Sequence, residues 1–428
     1  MKRQKTVWTS KAKILAGLIY VIFIFYALAG IGYSIGQFPS GLTVLLLVPV
    51  FVILFTYLLV LAAWQYVEEP RRRKLLNEAS KVFEQHPGVK VAILGSYGKT
   101  TMKELLATVI GQGKKVAFTP GNKNVPVSHA AWSRHLKGDE EVLLIEYGEG
   151  APGDIKKLSK LSKPDMAVIT GLAPNHLDQY KHLDAVVKDL LSVTDYVKDP
   201  DMVYVNGESK EFEKYLNNSV RTYTAKKVDG WAISNESVSI NGVSFTMKKN
   251  SVTFHLKSGL LGRHQIGPLA FAAALAHKLG LSKHAIESGV AMTIPYEHRM
   301  QPRQQHGAWI IDDTYNGSLE GLRAGLGLLG ELPAERKIYV TPGLVDQGEE
   351  TERVHYELGK LIAESNPDRT VLMQNSTTEH IVKGLEDGDY KGELDIQADP
   401  LAFYMNLEHI VAAGDLVLLQ NDWTDNYS

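Results

Sequence analysis

The chain has 428 residues, which is enough for two or three domains with separate cores. Its formal net charge of −2 gives no reason to expect nucleic acid as a partner. It contains no cysteine, which excludes disulfide frameworks, zinc ribbons and thiol nucleophiles.

The first predicted elements are two apolar stretches near the N-terminus, Ile14–Ile35 and Leu42–Tyr66. No charged residue occurs within or between them, and each is long enough for a membrane-spanning helix, which needs ~20 residues. Lysines and arginines flank the pair on both outer sides, and none occurs in the turn between them. The sequence therefore predicts a transmembrane hairpin in a bacterial-type inner (cell) membrane, with both chain ends and the catalytic domains in the cytoplasm. A buried hairpin in a soluble domain is the alternative.

The remainder of the chain has the pattern of an α/β protein. Leu75–Gln85 predicts a connecting helix, which His86-Pro87-Gly88 ends. Short apolar runs then alternate with helical patterns, as in a parallel α/β sheet. The strand candidates are Val89–Leu94, Lys115–Phe118, Val142–Glu146, Met166–Thr170 and Met202–Val205.

Farther along, the chain changes pattern twice. Period-two alternation over Trp231–Leu256 predicts a β-hairpin that turns at Asn241-Gly242, and the alanine-rich segment Gly267–Leu279 predicts a helix. Tyr296–Arg303 is interpreted as a linker, after which a second α/β pattern begins. Its strand candidates are Trp309–Asp312, Lys337–Thr341, Thr370–Met373 and Leu416–Gln420.

A glycine-rich loop, Gly95-Ser96-Tyr97-Gly98-Lys99-Thr100-Thr101, lies between the first of these strands and a predicted helix. Glycines allow a backbone to wrap around a phosphate, the helix N-terminus offers free N–H groups, and Lys99 adds a positive charge. Thr100 is placed to offer its hydroxyl to a magnesium ion. The strict Walker pattern requires a glycine at position 93, where this chain has Ile93. A chance match in a turn is the alternative.

The loop resembles the shortened P-loop of Mur ligases, and the motifs that follow occur in the order of that family. Thr119–Asn124 resembles the family's asparagine-bearing loop. Glu146-Tyr147-Gly148 resembles the strand end with the metal-binding glutamate, and Asn175–Asp178 resembles the conserved histidine segment. Lys188 matches the lysine that is carbamylated in the family, if a gap of about two residues is allowed after Tyr180.

The C-terminal half extends the resemblance. Gly262-Arg263-His264-Gln265 resembles the family's Gly-x-His-Asn segment, and Arg299-Met300-Gln301 resembles the arginine-bearing entry to the last domain. Ile310–Asn316 matches the branch that adds D-alanyl-D-alanine to a muramoyl tripeptide. Thr341–Gly348, with His355 later, resembles the loop and helix that follow in this branch.

The resemblance implies three parts: a hairpin and connecting helix over residues 1–87, a P-loop parallel-sheet ATPase domain over 88–295, and a Rossmann-like α/β domain over 296–428. The implied cofactors are ATP, Mg²⁺ and a carbamate on Lys188. Catalysis is assigned to Lys99, His176 and Lys188, and metal binding to Thr100, Glu146, His176 and Lys188. Nucleotide contacts are assigned to Gly95, Ser96, Tyr97, Gly98, Lys99, Thr100, Thr101, Arg299, Asp313 and Asn316.

The implied function is an ATP-dependent ligase that joins an amine, an amino acid or a dipeptide, to a small-molecule or lipid-linked cell-wall precursor at the membrane. Two departures affect the substrate. The hairpin stands where this branch usually has a UDP-binding domain, and Gln420–Trp423 replaces a basic segment. The alternatives are a polyglutamate-capsule type of membrane ligase and a membrane-tethered nucleotide-binding scaffold without catalysis.

Overall fold

The computed structural model describes residues 16–17, 19–25, 27–28, 31, 40–121, 123–173, 177–209, 212, 215, 220–315, 317–345 and 347–421. The chain divides into two compact units, Met1–Asn77 and Glu78–Ser428.

The first unit is helical at its described positions. Positions described between 16 and 31 are helical, and α1 (Ser40–Ala63), a π-helical turn (Trp64–Glu68) and α2 (Glu69–Gln85) follow, with the boundary between units inside α2. One helix in the described part of the chain, over Val52–Gln85, is long and apolar enough to cross a membrane by length and composition alone. The sequence predicts two spans, and the first of them, Ile14–Ile35, lies partly outside the described residues.

The second unit begins with six parallel strands in the order β2-β3-β1-β4-β5-β6. Their bounds are β1 Val89–Leu94, β2 Val116–Phe118, β3 Val142–Glu146, β4 Met166–Ile169, β5 Val203–Asn206 and β6 Arg221–Tyr223. The intervening helices are α3 Lys99–Ile110, α4 Pro126–Ser133, α5 Asp154–Ser162, α6 Leu177–Tyr180 and α7 Leu183–Leu191. Strand β1 is a nearly continuous apolar run because helices cover both faces of a parallel sheet. The predicted parallel α/β architecture is confirmed.

Four antiparallel strands extend the same sheet beyond β6. They are β7 Lys227–Val228, β8 Trp231–Ser239, β9 Gly242–Lys249 and β10 Val252–Ser258, and helices α8 Ile266–Lys278 and α9 Lys283–Ala291 follow. The hairpin turn contains Ile240 and Asn241, one residue earlier than predicted, since Gly242 pairs with Ser239. The sequence analysis missed β6 and β7, which are only three and two residues long. The alanines of α8 are buried, which allows the helix to pack close to the sheet.

A second sheet follows, in the order β11-β12-β16-β13-β14-β15, with every neighbouring pair parallel except β11 and β12. The strands are β11 Gln301–Gln305, β12 Ala308–Asp313, β13 Arg336–Thr341, β14 Arg369–Met373, β15 Glu393–Gln397 and β16 Asp415–Gln420. The helices are α10 Leu319–Glu331, α11 Thr351–Ser365, α12 Thr378–Asp387, α13 Pro400–Met405 and α14 Leu407–Ile410.

The prediction of a linker over Tyr296–Arg303 is wrong at its C-terminal end, because β11 begins at Gln301. This strand is rich in polar residues and contains Pro302, so it lacks the apolar alternation that identifies a strand in sequence. Its position explains the composition. An edge strand pairs on one side only, and it therefore tolerates proline and polar side chains.

Candidate functional site

The site lies where three adjacent parallel strands end. Strands β4, β1 and β3 are neighbours, and their carboxyl ends carry Thr170, the loop starting at Gly95, and Glu146. Ligands bind at this edge of open α/β sheets because the loops that leave the strands diverge there. Residues that are far apart in the sequence are thereby brought together.

The glycine-rich loop is tightly packed against the end of β4. Gly95 has φ +137°, and a Cβ atom there would lie 2.6 Å from Oγ1 of Thr170. The Ser96 N–H donates to the Gly171 carbonyl at 2.8 Å, and Gly98 has φ +78° just before α3 begins at Lys99. The first N–H groups of a helix have no partner within the helix. The loop therefore places free N–H groups and a lysine at one helix N-terminus, as an anionic phosphate requires.

Lys99 is held by an acidic residue that the sequence analysis missed. Its Nζ donates to Oε1 and Oε2 of Glu149 at 3.1 and 2.9 Å, and also to the carbonyl of Gly95. The side chains of Lys99 and Glu149 are only 14% and 3% exposed. In the sequence, Glu149 is visible only as a second carboxylate three residues after Glu146. The fold is needed to show that it forms an ion pair with Lys99.

Glu146 is the centre of a buried polar cluster at the end of β3. The Thr100 hydroxyl donates to its two carboxylate oxygens at 3.2 and 3.3 Å. Nζ of Lys103 lies 3.0 Å from Oε2, and the Lys103 side chain is fully buried. The Glu146 backbone N–H donates to Oγ1 of Thr119 at 3.0 Å. A carboxylate beside a hydroxyl offers the hard oxygen ligands that magnesium prefers, so Thr100 and Glu146 fit the predicted metal role.

His129 contacts the same strand end from α4, and the sequence analysis missed it. Its Nε2 lies 2.9 Å from the Glu146 carbonyl oxygen, so Nε2 carries the proton and donates. Burial lowers the pKa of His129 to about 4, although the hydrogen bond to the Glu146 carbonyl opposes the shift. The imidazole is therefore neutral near pH 7 and supports the backbone of Glu146.

The predicted histidine and lysine ligands are not placed beside Glu146 by any described contact. His176 lies outside the described residues, and Lys188 has an exposed side chain on α7. The buried charged residue on that helix is Asp189, which accepts hydrogen bonds from the Tyr180 hydroxyl at 2.8 Å and the Gly153 N–H at 2.9 Å. Within the described ranges, no three His, Asp or Glu side chains are grouped as a ready-made metal site. The carbamate on Lys188 stays a prediction.

A cavity of about 380 Å³ adjoins the loop and reaches the second sheet. Such a volume is in the range of small-molecule sites. Its lining includes Tyr97, Gly98, Thr101, His264, Gln265, Arg299, Asp313 and Tyr315. The guanidinium of Arg299 lies 4.3 Å from the centre of the Tyr315 ring. Five predicted nucleotide contacts thus line one cavity, whereas Asn316 lies outside the described residues.

Asp313 is the most perturbed carboxyl group of this cavity. It accepts hydrogen bonds from the Met300 N–H at 3.1 Å and from Nε2 of Gln420 at 2.8 Å. Burial raises its pKa to about 6, although these two hydrogen bonds and Arg299 oppose the shift. Gln420 is fully buried and stands where the family resemblance expects a basic segment. Asp313 consequently has a neutral amide as its side-chain partner.

A second cavity, of about 330 Å³, shares Ser318 and Glu320 with the first. Its lining carries charges of both signs, from Lys181, Glu320, Glu350, Arg353 and Glu357, together with His182 and Gln347. His355 supports the loop that contributes Gln347, because its Nε2 accepts from the Leu344 N–H at 2.9 Å. Its Nδ1 donates to the Thr351 carbonyl at 2.6 Å.

Comparison with known proteins identifies two domain types in this chain. Residues 93–276 match the Mur ligase middle domain, and residues 298–420 match the Mur ligase, glutamate ligase domain. The UDP-N-acetylmuramoyl-tripeptide--D-alanyl-D-alanine ligase of Escherichia coli (strain K12) is 25% identical, over 68% of this chain and 66% of its own length. The enzyme of the same name from Bacillus subtilis (strain 168) is 24% identical, over 81% of this chain and 76% of its own length.

Solved structures agree on the fold. MurF from Acinetobacter baumannii superposes with a TM-score of 0.71 at 20% identity, covering 82% of this chain and 77% of that chain. The MurF ligase from Thermotoga maritima in complex with ADP has a TM-score of 0.69 at 23% identity, covering 82% of this chain and 80% of that chain. The chain spans about two thirds of the length of the Escherichia coli relative, so the match concerns the catalytic domains described above.

Proposed function

Because this chain belongs to the Mur ligase family, we propose that it is an ATP-dependent, ADP-forming ligase that makes amide bonds through an acyl phosphate. One observation carries the proposal: the loop Gly95–Thr101 presents Lys99 and Thr100 at a helix N-terminus directly beside the buried carboxylate of Glu146. A phosphate-binding loop next to a magnesium ligand is the arrangement that phosphoryl transfer needs.

The proposed reaction has two steps. A substrate carboxylate oxygen attacks the γ-phosphorus of ATP, which forms an acyl phosphate and releases ADP. An amine nitrogen then attacks the acyl carbon, which forms the amide and releases phosphate and a proton. The N–H groups at the start of α3 and the Lys99 ammonium bind the transferred phosphoryl group. Thr100 and Glu146 would hold a magnesium ion, which would neutralise part of the negative charge of the phosphates.

The two cavities divide the substrates between them in this proposal. The cavity lined by Arg299, Asp313 and Tyr315 takes the base and ribose of the nucleotide, with Asn316 as a further contact. The second cavity takes the amine, since an amino acid or dipeptide is a zwitterion and this lining has acidic and basic side chains. The shared residues Ser318 and Glu320 place the two ligands side by side.

We propose D-alanyl-D-alanine or a similar amine as donor, and a cell-wall peptide precursor as the carboxylate substrate. The support is the name shared by the relatives and the match of Ile310–Asn316 to their branch. A nucleotide-linked precursor agrees with those names. A lipid-linked precursor is the second form, and the apolar helix Val52–Gln85 is the observation that favours it.

Phosphate release by the purified full-length chain in detergent tests the activity. The assay contains ATP, magnesium and UDP-muramoyl-tripeptide, with and without D-alanyl-D-alanine, and Lys99→Met is the control. Release that requires both substrates, together with a new amide by mass spectrometry, supports the ligase and its branch. In a parallel assay, a lipid-linked precursor replaces UDP-muramoyl-tripeptide. Release with this precursor but not with the UDP-linked one shows that the carboxylate substrate is lipid-linked. Release only with glutamate as the amine supports the polyglutamate-capsule alternative, and ATP binding without any turnover supports the scaffold.

We also propose that the apolar N-terminal segments form a membrane hairpin, with the catalytic domains in the cytoplasm. The support is the charge distribution of the sequence and the exposed apolar side chains of the candidate span found among the described residues, for example Phe55 and Tyr57. The absence of cysteine makes single-cysteine labelling direct. A membrane-impermeant maleimide applied to intact cells should label Gln37→Cys, and it should label Ser251→Cys only after lysis. Equal labelling of both before lysis contradicts the topology.

A further inference from the structure

We propose that Glu149 is a latch: its ion pair with Lys99 occupies the lysine ammonium until a nucleotide phosphate displaces the carboxylate. Both carboxylate oxygens of Glu149 accept hydrogen bonds from the Lys99 ammonium, at 3.1 and 2.9 Å. The inference rests on the proposed function, since it takes Lys99 to be the ligand of a nucleotide phosphate. It goes further by assigning Lys99 a protein partner that competes with the nucleotide phosphate.

The backbone around Glu149 holds this residue in place. The Gly148 N–H donates to the Asn124 carbonyl at 2.8 Å, and a Cβ at Gly148 would lie 2.7 Å from Cγ of Asn124. On the other side, the Ala151 N–H donates to a carboxylate oxygen of Asp154 at 2.9 Å. A segment held on both sides cannot retreat easily. When a phosphate arrives, the long and flexible side chain of Lys99 is therefore the part that moves.

The Lys99 side chain is turned back onto its own loop. Its ammonium also donates to the Gly95 carbonyl, so it contacts an acceptor of the loop in addition to Glu149. An ammonium group has three donors, and here all three hydrogen bonds are made to protein acceptors. A phosphate oxygen must replace at least one of them before Lys99 can bind it.

The neighbouring lysine shows why the latch acts on Lys99. Lys103 lies one helical turn after Lys99 on the same face of α3, and its Nζ meets Glu146 at 3.0 Å. Lys103 is fully buried, so it stays with Glu146, whereas Lys99 is 14% exposed at the mouth of the loop. The two Lys–Glu pairs thus differ in the exposure of the lysine, and Lys99 is the lysine that a nucleotide can reach.

The latch weakens nucleotide binding for two reasons. The ion pair between Lys99 and Glu149 is broken, and the Glu149 carboxylate remains near the anionic phosphates. Magnesium reduces the second effect because it neutralises part of the phosphate charge. The penalty is therefore larger for a nucleotide without magnesium.

Nucleotide affinity of the full-length chain tests the latch. Binding of ADP is measured by calorimetry in EDTA and in magnesium, for the wild type, Glu149→Gln and Glu149→Asp. Glu149→Gln keeps the size and removes the charge, and we expect its Kd in EDTA to fall about tenfold, with a smaller fall in magnesium. Glu149→Asp keeps the charge and should bind much as the wild type does. The matched control is Glu141→Gln, at the other end of β3, which removes an exposed ion pair with Lys114 and should leave Kd unchanged.

The possible results separate the latch from the proposed function. Unchanged or weaker binding by Glu149→Gln, in a variant with wild-type thermal stability, overturns the latch and leaves the ligase proposal intact. An equal gain in Glu149→Gln and Glu141→Gln also overturns it, because the effect would then reflect net charge. Failure of the wild type to bind ADP or ATP at all contradicts the proposed function itself.

Discussion

Nζ of Lys103 lies 3.0 Å from Oε2 of Glu146, and the two side chains are 0% and 4% exposed. The pair therefore joins α3 to the end of β3 in the interior, directly beneath the loop that carries Lys99. A buried charge that loses its partner is costly, so the pair couples the fold to the proposed metal ligand.

We expect Lys103→Met to lower the free energy of unfolding by about 3–5 kcal/mol, because it leaves the Glu146 carboxylate buried beside an apolar side chain. The double variant Lys103→Met/Glu146→Gln should recover part of this loss. Urea denaturation followed by circular dichroism measures both. Lys114→Met is the control, since its pair with Glu141 is exposed and should contribute at most about 1 kcal/mol. Equal losses in Lys103→Met and Lys114→Met would show that burial of the first pair has no energetic effect.

His355 should act as a neutral support for the loop after β13. Burial lowers the pKa of His355, although hydrogen bonds with Thr351 and Leu344 oppose the shift. Below the ordinary histidine pKa, the unfolded chain takes up a proton that the folded chain resists, so His355 contributes stability that is lost as pH falls from about 7.

We expect His355→Gln to lower the unfolding free energy by about 1 kcal/mol at pH 7.5, since Oε1 can still accept from Leu344 but the bond to Thr351 is lost. His355→Leu should cost more, because it leaves the buried Leu344 N–H without an acceptor. Both variants should lose less stability than the wild type between pH 7.5 and 5.5. The exposed histidine variant His409→Gln is the control, and a pH profile of His355→Leu parallel to that of the wild type would refute the assignment.

Asp313 should make stability fall as pH rises. Its folded pKa of about 6 lies above the ordinary value of 3.8, so between these values the folded chain holds more protons than the unfolded chain. The unfolding free energy therefore decreases across this window and levels off above pH 6. Asp313→Asn removes the effect and should gain up to about 3 kcal/mol relative to the wild type between pH 4 and 7. Denaturant titrations at several pH values measure the difference, with exposed Asp389→Asn as the control. A constant difference between the wild type and Asp313→Asn would contradict the prediction.

The variant Lys188→Ala tests whether the exposed Lys188 carries the predicted carbamate. If the carbamate completes the magnesium site, Lys188→Ala nearly abolishes ATP turnover, and added bicarbonate does not restore it. Phosphate release with saturating substrates measures this, and Lys198→Ala is the matched exposed control. Turnover like that of the wild type would show that the carbamate is not on Lys188.

The sequence by itself determined the elements with strong local patterns. The apolar runs predicted β1 and β3 with their observed bounds, since strands buried on both faces are continuous apolar segments. The glycine spacing predicted the tight loop after β1, where the backbone conformation at Gly95 and Gly98 excludes most side chains. Short or edge strands such as β6 and β11 lack such a pattern and were missed or taken for a linker.

Only the tertiary structure decided which charged side chains form ion pairs. Glu149, Lys103 and His129 are ordinary residues in the sequence, and each becomes part of the site because β3, α3 and α4 converge at one sheet edge. Likewise, the exposure of Lys188 and the burial of Asp189 depend on how α7 packs. Local patterns report which face of an element is apolar, whereas ion pairing depends on distances between elements that are remote in the chain, and only the folded chain sets those distances.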